Sequence, residues 1–372
     1  METDLECCSI RDNARRPRSG RLANAIQGGF AIVALGLMIF LRDRSLVRTL
    51  SITFISIVLE ALPFMLLGTL MGGLIEVFVP RAKLAALMPK RRAITVLAGA
   101  ALGAIFPTCE CAIVPVVRSL LRKGVPLGAA VAYLLGGPIV NPLVAASTAV
   151  AYSFNWPVVA IRLLCGYAIA VAVGFWMDSR FRDQHDALLP AVVNQADAIC
   201  CRDHDHDNCA RHHDRGASGL RNASRFAAFR EKLASAVHHS ADEFFDIGRF
   251  MIAGAFLAAL LQTMVSRQTF VAAIAGTPAL AVVLMMGLAV CLNLCSEADA
   301  FVAASFRFTV VPLSAQMAFM VLGPMLDIKL ILMYLPVFRK RAIITLALTT
   351  VVLVFVSMMV FQFAARALRV QI

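Results

Sequence analysis

Val125-Pro126-Leu127-Gly128-Ala129-Ala130-Val131-Ala132-Tyr133 returns 186 residues later as Val311-Pro312-Leu313-Ser314-Ala315-Gln316-Met317-Ala318-Phe319. Carried on without a gap, the same offset pairs Cys109 with Cys295, Gly137-Pro138 with Gly323-Pro324 and Asn141 with Asp327. Upstream it pairs Glu60 with Asp246, Phe64-Met65 with Phe250-Met251 and Gly68 with Gly254. Between positions 109 and 144, 11 of 36 aligned residues are identical. Apolar composition alone does not readily place Cys, Pro and Gly-Pro in one register. The chain therefore reads as a duplication, residues 49–177 and 243–372, joined by the hydrophilic stretch 178–242.

What is duplicated is apolar. Hydrophobic residues make up 60% of the 372, above the roughly 45–50% usual for a soluble domain. They gather in blocks without any Asp, Glu, Lys or Arg: 22–41, 124–161, 250–266, 268–296, 308–326 and 342–365. A helix spanning the hydrocarbon needs about 20 such residues, so the expectation is an all-α integral membrane protein. The first block follows Arg11, Arg15, Arg16, Arg18 and Arg21, as a signal peptide would. It ends in Leu41-Arg42-Asp43-Arg44 with no small-residue cleavage pattern, and is read as an extra, retained span over 25–48 behind a basic tail, 1–24.

The net charge of +12 does not imply nucleic acid here, because basic loops mark the cytoplasmic side of membrane proteins. In the first half, 80–92 holds five Lys/Arg and 118–124 three, whereas 155–157 holds none. The second half reverses this: 266–278 and 304–310 hold one each, and 338–342 holds three. The halves are thus expected to lie in the membrane with opposite orientation. Inversion needs an odd number of crossings per half, so 92–122 is read as a re-entrant hairpin around Pro107-Thr108-Cys109-Glu110-Cys111. Its partner is a second hairpin around residues 293–299. At 1.5 Å per residue, each arm of about 10–14 residues reaches only about 20 Å. Seven full spans and two hairpins result, with a cytoplasmic N-terminus.

Irregular backbone at membrane depth is tolerated only inside protein or beside a wet cavity. Transporters with inverted repeats build midplane sites from such broken helices. The hairpin tips offer Cys109, Glu110 and Cys111, and Cys295, Ser296, Glu297 and Asp299. Asn141 and Asp327 follow the two Gly-Pro breaks. These nine are the candidate substrate-binding residues. In extended backbone, positions i and i+2 face the same way, so Cys109 and Cys111 suit one soft centre, with Cys295 as a third sulfur. Against this, a buried Cys is often a small apolar filler, the reading adopted for Cys165 and Cys291. Glu60 and Asp246 read as helix-end residues or pathway carboxylates. Arg249 and Lys329 read as snorkelling cations or as partners of Asp246 and Asp327.

The central stretch carries Cys200, Cys201, His204, His206, Cys209, His212 and His213 among aspartates. That density suits a zinc-like metal, although the spacing fits no closed structural zinc site and a solvated linker serves equally. No cofactor motif is present otherwise, and no nucleotide-binding Gly-x-x-x-x-Gly-Lys-Ser/Thr loop. Two other classes compete: a membrane thiol oxidoreductase, which would want Cys-x-x-Cys near a membrane face where this chain has Cys-x-Cys at depth, and a metal-sensing scaffold acting through 200–213.

The run Cys109-Glu110-Cys111-Ala112-Ile113-Val114-Pro115, then Arg122-Lys123-Gly124, then Pro138-Ile139-Val140-Asn141-Pro142 resembles the ArsP-like permease family. So does Leu322-Gly323-Pro324-Met325-Leu326-Asp327-Ile328-Lys329 in the second half. The resemblance implies a multi-pass inner-membrane permease, not an enzyme, whose expected partners are the lipid bilayer, a small-molecule or metalloid substrate and further copies of the chain in a homo-oligomer. Some family members export trivalent organoarsenicals, which bind thiols, and Cys109 and Cys111 match the family's cysteines. Glu110 departs from the small residue often found there, and the metal-ligand-rich loop lies outside the shared pattern. Both keep a divalent transition metal or metal complex open as the solute. A reporter fused after Arg122 or after Ala210 should read cytoplasmic, and one after Val310 external. Opposite sides for the first two would contradict the hairpins.

Overall fold

The computed structural model describes residues 44–80, 91–106, 108–181, 187–189, 221–264, 277–307 and 311–367. The N-terminal span expected over 25–48 and the seven metal-ligand candidates between 200 and 213 lie essentially outside them. The chain divides into Met1–Val47 and Arg48–Ile372, and the second unit spans 49–177 and 243–372.

Among the described residues the secondary structure is helical apart from one isolated bridge between Leu188 and Phe338. In chain order the helices are α1 (Arg44–Phe78), α2 (Arg92–Ala101), α3 (Glu110–Arg122), α4 (Leu127–Gly136), α5 (Pro142–Ala151) and α6 (Trp156–Arg180). There follow α7 (Arg221–Met264), α8 (Pro278–Leu292), α9 (Ser296–Ala304), α10 (Leu313–Leu322), α11 (Ile328–Tyr334) and α12 (Lys340–Ala367). Four are long and apolar enough to cross a membrane, within α1, α6, α7 and α12. The others are short apolar pieces. A shift of 186 residues carries the first residue of α3 onto that of α9, α4 onto α10, and α5 onto α11.

The breaks have local causes. Pro138 has no N–H to continue α4, and the N–H groups of Ile139 and Val140 turn back onto the Gly136 carbonyl at 3.1 and 2.7 Å. Asn141 is then extended, and its Oδ1 accepts the Leu143 N–H at 2.9 Å, capping α5 with Pro142 in the first turn. The second half repeats this. Met325 and Leu326 N–H fold onto the Leu322 carbonyl, and Asp327 Oδ1 caps α11 through Leu330 N–H at 2.5 Å. Asn141 and Asp327 are thus helix caps, a role that stabilises by about 1 kcal/mol.

Each hairpin packs on its own half, α2 against α4 and α6, and α8 against α10 and α12. The short helices reach across: α5 packs on α9, and α11 on α3. The halves therefore interlock at the hairpin tips. Small residues allow the approach. A Cβ at Gly68 of α1 would lie 2.7 Å from Ala112 Cα, and one at Gly99 of α2 would lie 2.5 Å from the Ala129 carbonyl oxygen. Along α12 one stripe, Leu346, Thr350, Val354 and Met358, is buried, while Ile344, Leu348, Val352, Val356 and Val360 face outward at four-residue spacing. In a bilayer that outward stripe meets lipid. Phe154 and Trp156, both about two-thirds exposed with ring centroids 6.5 Å apart, stand at the turn before α6, where aromatic residues favour the membrane interface.

Three expectations need correction. The 178–242 stretch is not all linker, because α6 runs to Arg180 and α7 begins at Arg221; 221–242 is the polar beginning of a helix that enters the apolar core. Glu60 and Asp246 are not helix-end residues, since they lie well inside α1 and α7. Arg118, Arg122 and Lys123 are not a solvated basic loop. Arg118 pairs with Asp246 at 2.8 Å and Glu243 at 3.7 Å, and Arg122 with Glu76 at 3.2 Å, all but Asp246 being buried. Lys123 donates to the Glu76 carbonyl. Their sequence neighbours look loop-like, whereas their charges are matched by acids about 40 to 130 positions away.

Close approach predicts an asymmetric glycine response. Gly68→Ala should destabilise the protein by about 1–3 kcal/mol, the range for overpacking. Gly287→Ala has nothing within 4 Å of the new methyl and should be neutral or stabilising by up to about 1 kcal/mol. Thermal unfolding of the purified protein in detergent reads both, and equal effects would contradict the packing.

Candidate functional site

The helix breaks converge on one cavity of ≈ 370 Å³, lined by Cys109, Glu110, Cys111, Asn293, Cys295, Glu297 and Lys329, with Leu143 and a wall of α1 (Ile57, Glu60, Ala61, Phe64). Four helix N-termini border it. Cys109 precedes α3, Asn141 precedes α5, Cys295 precedes α9 and Asp327 precedes α11.

Cys109 is extended, with φ −76° and ψ 167°. Its thiol neighbours that of Cys111. The expectation of extended backbone through both cysteines fails at Cys111, because α3 already starts at Glu110. The thiols lie near each other because Cys109 sits at the cap, one residue before the helical turn that holds Cys111. Cys295 takes the matching cap position, φ −73° and ψ 155°, and its thiol neighbours Glu60. All three cysteines line the cavity. Among the described residues, however, no group of three or more His, Cys, Asp or Glu is arranged to hold a metal ion.

The polar floor is ionic. Lys329, buried, places Nζ 3.6 Å from Glu110 Oε1 and 4.0 Å from Asp327 Oδ2. Cys111 is a further neighbour of the ammonium. Asn293 ends α8 in the left-handed conformation, φ 48° and ψ 50°. With its amide nitrogen turned inward, it donates to both Asp327 oxygens, at 3.0 and 2.5 Å. Asp327 therefore lies behind the cavity, satisfied by the α11 backbone, Asn293 and Lys329.

Asp299, Ser296 and Asn141 are not cavity-lining. A Cβ on Gly323 would lie 2.6 Å from Asp299 Oδ2, so the glycine leaves room for that carboxylate. Asp299 has one oxygen without a hydrogen-bond partner. The nearest compensating cation is Arg162, fully buried in α6, which donates to Thr148 Oγ1 at 2.6 Å and to the Ser296 carbonyl at 2.7 Å. Ser296 Oγ in turn donates to Glu297 Oε2 at 3.2 Å. Sequence reasoning gave Arg162 no role and treated Lys329 as a snorkelling or pairing cation. The signal for Arg162 was its place at the edge of a 38-residue charge-free block, 124–161, where a lone cation needs a buried acid.

The charges nearly balance. Five carboxylates (Glu60, Glu110, Glu297, Asp299 and Asp327) face Lys329 and Arg162, and each of four helix N-termini adds about half a positive charge. Such a site does not select strongly by net charge. Its distinctive groups are the thiols.

Described residues that are helical almost throughout, with four membrane-length helices, broken shorter ones and a cavity lined by cysteines and carboxylates between them, fit a multi-pass membrane protein of the transporter class. The ArsP family model, described as a predicted permease, matches residues 46–363. The chain belongs to that family. It is 40% identical to "UPF0718 protein YcgR" of Bacillus subtilis over 81% of this chain and 92% of that one. It is 35% identical to a Streptococcus mutans protein named as a candidate two-component membrane permease complex subunit, over 78% of this chain and 87% of that one. Identity to "UPF0718 protein YraQ" of Escherichia coli is 27% over 36% of this chain and 38% of that one. No solved structure matches the chain.

Removing the cation should expose the cost of the buried acids. Lys329→Met should destabilise the protein by about 3–5 kcal/mol, the range for breaking one side of a buried pair. Adding Glu110→Gln should recover part of that loss, since one uncompensated carboxylate is then gone. A double-variant cycle by thermal unfolding reads the coupling, and strictly additive losses would contradict the pairing.

Proposed function

We propose that the protein is a secondary permease of the inner membrane for a soft, thiol-seeking solute, and that trivalent organoarsenicals represent the substrate class. The observation that carries the reading is the convergence of Cys109, Cys111 and Cys295, from the two hairpin tips, on one cavity. The nearly balanced charge around it favours recognition by sulfur over recognition by charge. A trivalent organoarsenical with two hydroxyl ligands exchanges both for the sulfurs of Cys109 and Cys111. Two As–S bonds form, two As–O bonds break, and the thiol protons leave with the hydroxides as two waters. Cys295 then exchanges for one of these two sulfurs during transfer between the hairpins: one As–S bond forms as one breaks, and the Cys295 proton passes to the released thiol. Release reverses the exchange, so no electron changes hands.

The inverted repeat is part of the proposal. The coincident starts of α3 and α9, α4 and α10, and α5 and α11 at the 186-residue offset support it, as does the reversed Lys/Arg content of corresponding loops. On this topology the ion pairs of Arg118 and Arg122 with Glu76, Glu243 and Asp246 lie at the cytoplasmic end. Glu110, Glu297 and Asp299 are the groups through which a proton or cation would be coupled. A divalent metal or metal complex is the second solute class. Glu60, Glu110 and Glu297 in the cavity wall favour it. A partner subunit, as named for the Streptococcus relative, or a homo-oligomer would complete the assembly. The loop at 200–213, with its zinc-like ligand set, is peripheral to transport.

Serine keeps the volume of cysteine while exchanging a soft donor for a hard one. Cys109→Ser and Cys111→Ser should each abolish organoarsenical resistance in cells at unchanged protein abundance, and Cys295→Ser should weaken it. Loss of abundance instead would mark a packing role, since a buried hydroxyl without a partner costs about 1–3 kcal/mol. Normal resistance in all three would refute sulfur recognition.

A further inference from the structure

The end of α6 and the start of α12 enclose a second cavity, ≈ 780 Å³, whose walls are Arg180, Phe181, Arg339, Lys340, Arg341, Ile344 and Thr345. Both helices are long enough to cross a membrane, so these adjoining ends mark one boundary of the bilayer. Among the described residues four of the seven that line it are cations, and none is acidic. Asp178, two residues before Arg180, is already paired with Arg92 at 3.8 Å.

The placement of these charges calls for an anion. Lys340 and Arg341 open the 28-residue helix α12, whose first turn contains no acid. Cations there oppose the helix dipole, which favours negative charge at this end. The flanking cations are positioned by their surroundings. Arg339 donates from its backbone N–H to the Ala187 carbonyl at 2.8 Å and from Nε to the Leu188 carbonyl at 3.0 Å. The Arg180 guanidinium carbon lies 5.8 Å from the centre of the Phe181 ring.

One turn along α12 from Lys340 the lining becomes apolar at Ile344. Ile344 lines the cavity and begins the exposed stripe Ile344, Leu348, Val352, Val356 and Val360 along α12. A free phosphate would make no use of that stripe, whereas an acyl chain lies along it. Basic pockets at the ends of membrane helices suit anionic headgroups. We infer that this cavity binds the phosphate headgroup of an anionic glycerophospholipid, with one acyl chain laid along the outer face of α12. The site is separate from the cysteine cavity and does not rest on the transport reading.

The test uses the full-length protein in neutral detergent, with phosphatidylglycerol and phosphatidylcholine of matched acyl chains titrated and bound lipid counted by native mass spectrometry. Phosphatidylglycerol should bind roughly tenfold or more tighter than phosphatidylcholine. Lys340→Gln with Arg341→Gln should weaken phosphatidylglycerol roughly tenfold or more, while Arg366→Gln, at the far end of α12, should leave it unchanged. Equal binding of the two lipids, or no effect of the double substitution, would overturn the inference. Displacement of the lipid by equimolar inorganic phosphate would also overturn it, by showing a free-anion site.

Discussion

Lys329 is buried in the cavity wall, and it is held by acids from both halves of the chain: Glu110 in the first turn of α3 and Asp327 at the break before α11. A lone ammonium in that position would cost several kcal/mol. The second half can therefore bury its broken helix only against the first half's hairpin. This one constraint orders the rest. It brings α11 onto α3, places Cys111 beside the ammonium, and sets the cap carboxylate of Asp327 where Asn293 can reach it. The corresponding contact, α5 on α9, has no such ion pair of its own and is tied instead by Arg162, which bridges Thr148 and the Ser296 carbonyl.

Other charges join helices in the same way. Arg118, Arg122, Glu76, Glu243 and Asp246 join α1, α3 and α7 by buried or half-buried pairs. Shifted by 186 residues, Arg118 and Arg122 fall on Ala304 and Phe308, and back-shifted, Glu243 falls on Ile57. The helix starts recur at this offset and these charges do not. A transporter that alternates between two faces needs unequal closures only if one state is to be favoured, and the ionic end supplies that bias under the proposed topology.

Much of this was legible in the sequence because the relevant signals are local. Gly-Pro followed by Asn141 or Asp327 announces a break and a cap, and uninterrupted apolar blocks announce membrane helices. What escaped detection depended on distant partners. Arg118 and Arg122 read as a basic loop because Glu243 and Asp246 lie more than 120 positions on. Lys329 looked like a snorkelling residue because its main acid comes from the other repeat. Cys111 was assigned extended backbone because the start of α3 is set by packing against α1 at Gly68, for which a Cys-x-Cys pattern carries no sign.

The central claim is that both hairpin tips open into one small cavity, and it can be tested without knowing the solute. In a variant whose eight other cysteines of ten are replaced by alanine, Cys109 and Cys295 would be treated with a bulky maleimide and the intact mass measured. A cavity of ≈ 370 Å³ shared by both residues accepts one adduct and excludes a second. The account predicts singly labelled protein with almost no doubly labelled species, at either site and at every reagent concentration. Doubly labelled protein at the frequency expected for two independent thiols would contradict it.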